Sequence, residues 1–165
     1  MQIRPTTASL AILLALILAP TPAHAQSLGY IFNLPISKVV PNPCGSTFVL
    51  VNGTLNVSVG TAVGSDGFTV TIGLATSGKG QDVLADGTLT VLGKPDYSYS
   101  GSASLDATYD ATPSTATITL PMRDYLVRPN WDRSDIIALT TTLQVTLTNG
   151  VPTAPQITAL AVRCQ

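Results

Sequence analysis

Hydrophobic and polar residues alternate along most of this chain, most cleanly near its end. Over residues 136–148, Leu139, Leu143, Val145 and Leu147 fall on one side. Thr140, Thr142, Gln144, Thr146 and Thr148 fall on the other. Period two is the signature of a strand with one buried and one wet face. Asn149-Gly150 follows, a pair that tolerates positive φ and so predicts a reversal. A returning strand over residues 155–163 then delivers Cys164 beside the terminus.

The same pattern recurs upstream in short runs. Tyr30 to Leu34 predicts a short edge strand, because Pro35, Pro41 and Pro43 interrupt pairing around it. Residues 48–51 form a run ended by Asn52-Gly53, and 54–59 alternate strictly. Residues 60–67 read as a loop, 68–74 as a strand, and the glycine-rich 76–80 as a flexible loop. Two further runs, 82–85 and 88–92, flank Asp86-Gly87. Strands are expected again over 97–100, 105–109, 116–120 and 123–127, with Pro121 stopping or bulging the chain between the last two. The turn signals fall about 8–12 residues apart, which predicts about eight to ten strands in a sandwich or a small barrel. No helical pattern separates the runs, so the sheet must be mainly antiparallel. The expected fold class is all-β, an antiparallel sandwich or a flattened small barrel.

The first 25 residues break this pattern. Arg4 lies in a polar start, residues 10–19 are unbroken apolar, and Pro20-Thr21-Pro22 and Ala23-His24-Ala25 follow. That order is the order of a secretory signal peptide cut between Ala25 and Gln26. The apolar run is half of the about 20 residues that a membrane-spanning helix needs. No transmembrane anchor is therefore expected once the signal is removed. The domain reading is a signal peptide over 1–25, a lead-in over 26–43 and an all-β domain over 44–165. Localisation is expected to be secreted or periplasmic, and in such a compartment Cys44 and Cys164 pair.

Composition narrows the chemistry. The chain carries 8 Lys and Arg against 9 acids for a net charge of −1, which leaves no basic face for nucleic acid. Every acid is aspartate, as suits turns more than helices. The only histidine, His24, leaves with the signal peptide. A Ser-His-Asp or Cys-His arrangement is then impossible, as is a histidine-ligated metal site, and bridged cysteines offer no nucleophile. No cofactor, no metal and no catalytic residue is expected. Asp106 with Asp110 and Asp132 with Asp135 are the aspartate pairs that a hydrolase would need, but they sit beside turn formers and carry no motif.

The best candidate surface is the segment from 128 to 135. Arg128, Asn130, Trp131, Asp132 and Arg133 bring the single tryptophan together with a concentration of charge. A tryptophan between arginines can stack on a sugar ring, an aromatic ligand or a partner side chain. Tyr97 and Tyr99 share one strand face and are expected in the core, because aromatics are few here.

Several stretches carry a resemblance: Asn42-Pro43-Cys44, residues 48–54 and 73–79, Val145-Thr146-Leu147-Thr148-Asn149-Gly150, and Ala161-Val162-Arg163-Cys164. On these the chain resembles a group of small exported bacterial proteins without an assigned activity. It departs from them in lacking histidines over 139–145. The resemblance implies a secreted all-β domain closed by its cysteine pair and transfers no activity. The expected function is a non-catalytic exported domain, structural or binding a partner at the envelope or outside. The alternatives are a lipocalin-like barrel holding an apolar small molecule and an aspartate-based hydrolase. A filled interior would reject the first alternative.

Overall fold

A computed structural model of the chain describes residues 27–65, 67–84, 86, 88, 96–129 and 135–165. The expected signal peptide, the run at 89–92 and the centre of the candidate surface, Asn130 to Ser134, lie outside the described residues. Eight strands are present among the described residues, and they are longer than the turn signals suggest. β1 (Ser27–Pro41), β2 (Phe48–Gly64), β3 (Gly67–Val83) and β4 (Tyr97–Tyr109) form a four-stranded antiparallel meander in that order. β5 (Thr115–Leu126) and β6 (Ile137–Thr148) pair next, and β6 then takes both β7 (Val151–Pro152) and β8 (Gln156–Cys164). The two sheets face one another as a sandwich.

The barrel alternative fails at its two corners. β4 and β5 join through one isolated bridge, Ser98 to Val127, with two backbone hydrogen bonds of 2.9 Å. β1 and β8 share no ladder and are separated by a groove of about 230 Å³ lined by residues 35–38 and 157–160. Strands alternate in direction along the meander, so β1 and β8 run the same way. Closing the barrel would require a parallel pair, which is the less stable kind per residue.

Alternation places the core as expected. Odd residues of β2 and even residues of β3 point inward, from Val49 and Val51 through Val57, Val59, Val70, Ile72 and Leu74, all at most 3 % exposed. Ile118, Leu120, Met122 and Leu126 of β5 meet them from the other sheet, with Leu139, Leu143, Val145 and Leu147 of β6. Asn149 and Gly150 take φ of 50° and 77°, the left-handed reversal that their identities predict.

Five local expectations are corrected. The segment read as a lead-in is β1, a 15-residue edge strand paired with β2 along its whole length. Prolines are tolerated there because an edge strand needs donors on one side only. Asn52-Gly53 does not turn; β2 runs through it. Residues 60–64 continue β2 to a tight hairpin in which Gly64 pairs with Gly67. Residues 76–80, read as a flexible loop, lie inside β3. Pro121 neither stops nor bulges β5, since it sits on the edge facing the β4 corner; the bulge falls in β8, where Thr158 is extra between Ala159 opposite Thr142 and Ile157 opposite Leu143.

The two glycines that mimic turn signals have a packing role. Gly53 pairs with Gly78, and Gly78 pairs with Tyr99 on the next strand. The Tyr99 ring lies across both, so a Cβ at either glycine would meet the Tyr99 hydroxyl and a backbone carbonyl of the opposite strand. The ring fills the space that side chains would otherwise take and shields the cross-strand backbone, the way aromatic neighbours compensate glycines in sheets. Gly78→Ala is expected to lower stability by about 1–3 kcal/mol through overpacking, measured by chemical denaturation at an unchanged m-value.

Candidate functional site

The candidate surface starts at Arg128, and the alternation of β5 decides where that side chain goes. Ile118, Leu120, Met122, Asp124 and Leu126 all point inward, and Arg128 is next in phase after Val127. It is 4 % exposed. Its guanidinium stacks on the Tyr97 ring, with Cζ 3.7 Å from the ring centroid. Nη2 pairs with Asp82 Oδ2, and Nε pairs with Asp135 Oδ2 at 3.0 Å. The pairing with Asp135 also ties together the two ends of the segment that carries Asn130, Trp131, Asp132 and Arg133.

The cluster extends from there. The Tyr97 hydroxyl donates to Asp135 Oδ1 at 2.9 Å. Thr47 Oγ1 donates to Asp82 Oδ1 at 3.3 Å, and Asn42 Nδ2 reaches Thr47 Oγ1 at 3.3 Å and the Tyr97 hydroxyl at 3.5 Å. Burial pushes the Tyr97 hydroxyl up to about 12; Arg128 opposes that shift and Asp135 adds to it. Asn42 also accepts from the Cys44 N–H at 2.9 Å through Oδ1, an Asx turn that aims the cysteine. This is the physical sense of Asn-Pro-Cys at this position. Cys44 bonds Cys164, 120 residues away, with Cα atoms 5.0 Å apart. Ion cluster and disulfide thus close the same end of the sandwich.

The arrangement suits cohesion more than turnover. Among the described residues one cation pairs with two carboxylates, whose other oxygens accept from Thr47 and Tyr97. A general acid or base needs a group free to exchange a proton with a substrate. Arg128, expected at a binding surface, is instead buried within this ion cluster. Among the described residues, no group of three or more metal-ligating side chains comes together.

A second polar group lies deeper, and sequence reading missed it. Asp124 is 1 % exposed between the sheets and accepts a 2.7 Å hydrogen bond from Thr76 Oγ1. Its other oxygen, the Tyr99 hydroxyl and Thr141 Oγ1 are all buried with no hydrogen-bond partner among the described residues. Gly101 makes room for that oxygen: a Cβ there would collide with it. The signal was available, because Asp124 and Thr141 both fall in the apolar phase of their strands. Burial holds the Asp124 carboxyl above its usual range, opposed by the Thr76 hydrogen bond. Burial, with Asp124 nearby, pushes the Tyr99 hydroxyl up to about 12.

The sign of the pH effect follows. A carboxyl whose folded value is raised holds its proton longer in the folded state than in the unfolded one. Stability therefore falls as pH rises from the unfolded value near 3.8 through the raised folded value, and is flat above. Asp124→Asn is expected to remove that slope and to be more stable than the parent at neutral pH, because no charge is then forced into the core. Melting temperature against pH for the two proteins checks both expectations.

The other nominated aspartate pair, Asp106 and Asp110, is on the surface. Asp106 is exposed on the outer face of β4 and Asp110 is exposed in the turn after it, while Asp132 lies outside the described residues. Tyr97 and Tyr99 are both core residues, as expected. The outer face of the larger sheet is built of small polar groups, with Ser98, Ser100, Ser102 and Ser104 in line along β4 and Thr54, Asn56 and Ser58 along β2. A shallow hollow of about 220 Å³ on that face is lined by Ile31, Asn56, Ser58, Gly73 and Ala75 among others. A second hollow of about 250 Å³, apolar at Leu28, Val63, Phe68 and Val151, opens at the end opposite the disulfide. No family model, curated protein or solved structure matches this chain.

Proposed function

We propose that the chain is an exported β domain that acts by binding or structural contact at the cell envelope or outside it, and not by catalysis. The observation that carries this reading is the direction in which its reactive chemistry points. Arg128, Asp82, Asp135 and Tyr97 turn inward and satisfy one another. The wide outer face offers hydroxyls and amides, which recognise by contact and hydrogen bonding. The disulfide supports an oxidising destination. The apolar-ligand reading loses ground because the space between the sheets is filled by aliphatic side chains.

Expression of the whole chain in a bacterial host tests the reading. The expected product is recovered outside the cytoplasm, begins at Gln26 and carries no free thiol. Retention in the cytoplasm with both cysteines reduced would overturn the export half. Turnover of glycoside or ester substrates that is abolished by Asp135→Asn, with folding intact, would overturn the non-catalytic half.

A further inference from the structure

We infer that the first half of β1 is a pairing edge for a second copy of this chain, joined antiparallel about a two-fold axis at Tyr30. β1 ends the strand order of its sheet, so its outer edge has no ladder partner among the described residues. The direction of its backbone groups follows from its prolines. Pro35 and Pro41 pair opposite Thr54 and Phe48, yet neither has an N–H to give. Continuous pairing requires odd residues to turn N and C=O away from β2. Ser27, Gly29, Ile31 and Asn33 therefore present donors and acceptors outward.

Residues 27–34 carry no charge, no proline and strong β formers, Tyr30, Ile31 and Phe32 among them. Natural edges are usually protected by charge, proline or a bulge, and this stretch has none of these. Protection starts only at Pro35 and Lys38, where the groove to β8 begins. The open part is thus a defined segment ending at Pro35.

Its own residues fit one register best. With Tyr30 on the axis, Ser27 pairs with Asn33 of the second copy and Gly29 pairs with Ile31, each twice by symmetry. All four are outward-bonding positions, so the junction closes about eight backbone hydrogen bonds. The register also matches what is left uncovered. Ile31 is 78 % exposed, and it would lie over the second copy's Gly29, where an added Cβ meets nothing within 4 Å. Leu28, 56 % exposed, would face the second copy's Phe32 on the core side. With no charge on the segment, two copies meet without repulsion. An isologous contact of this kind closes on itself and stops at two. The two four-stranded sheets become one continuous sheet.

Sedimentation or light scattering on the purified protein over a dilution series tests this. The expected result is twice the monomer mass at high concentration, falling to the monomer mass on dilution. Ile31→Pro removes an outward donor and none that bonds β2, as Pro35 already does, so it is expected to stay folded by circular dichroism and to be monomeric throughout. Ser37→Pro changes the same edge beyond the register and is expected to leave the dimer intact. Tyr30→Cys places two thiols at the axis, about 4.5 Å apart between Cα atoms, and is expected to oxidise to a covalent dimer. A wild-type protein monomeric at every concentration, a dimer that survives Ile31→Pro, a dimer lost in Ser37→Pro, a Tyr30→Cys protein that does not cross-link, or open-ended assemblies would each overturn the inference.

Discussion

Arg128→Ala is expected to lower the unfolding free energy by about 3–5 kcal/mol, the range for removing one partner of a buried ion pair. The side chains of Arg128, Asp82 and Asp135 are only 2 %, 6 % and 14 % exposed. Without the guanidinium, two carboxylates face each other across a cavity, and Tyr97 loses the cation on its ring. Most of the loss is the desolvation of Asp82 and Asp135 that the guanidinium no longer offsets. Arg128→Lys separates charge from geometry: an ammonium keeps the charge but cannot stack flat on Tyr97 while serving two aspartates. It is expected to fall between the parent and Arg128→Ala. Guanidinium unfolding of the three proteins checks the order. Equal stability of Arg128→Ala and the parent would mean that the cluster is ornamental and the end of the sandwich is held by sulfur alone.

This prediction also shows what could be read from the sequence. Period-two alternation gave the strands, the antiparallel class and most of the core, because burial on one face leaves a mark at every second residue. Asn149-Gly150 was legible because the reversal needs positive φ at both residues. Asn52-Gly53 bears the same dipeptide and is the middle of a strand. The difference lies in Gly78 and Tyr99, which pair alongside it and are distant in sequence. Local signals cannot report a ring that arrives from a strand two positions away. Arg128 is legible as important, but its inward direction is not. It lies in phase with Leu126 and Met122, and the break that a proline predicts at Pro121 hides that phase. Carrying the alternation through that proline would have placed both Asp124 and Arg128 inside.

The two sites differ in how completely they are satisfied, and this divides their roles. The Arg128 cluster has two ion pairs and several hydrogen bonds at one end of the sandwich, where it can hold a fixed geometry. The Asp124 group has one hydrogen bond for its carboxyl and two neighbouring hydroxyls without partners in the middle of the core. A buried acid of that kind costs stability at neutral pH. Three glycines, Gly53, Gly78 and Gly101, make room there for Tyr99 and for the Asp124 carboxyl.

Replacing Cys44 and Cys164 together by serine is expected to give the other large loss. Closing a loop of 120 residues removes denatured-state entropy equivalent to about 5 kcal/mol on the chain-entropy model. The measured loss should approach that limit without exceeding it, since residual structure in the unfolded chain reduces the effect. Its distribution matters more than its size. β8 is an edge strand paired only to β6, and Cys164, opposite Ile137, is its last residue. β1 ends just before Cys44 and shares no ladder with β8. The sulfur bridge is therefore the covalent link across the open corner of the sandwich. Without it, amide exchange should accelerate first over residues 156–164 and then over 38–41, while β3 and β6 exchange only on global unfolding. The Gln165 N–H, held by the Ile136 carbonyl at 3.0 Å, should lose protection with the same step. Uniform acceleration across all strands would instead mean that the bridge acts on the unfolded chain alone, and that the Arg128 cluster already suffices to keep the corner shut.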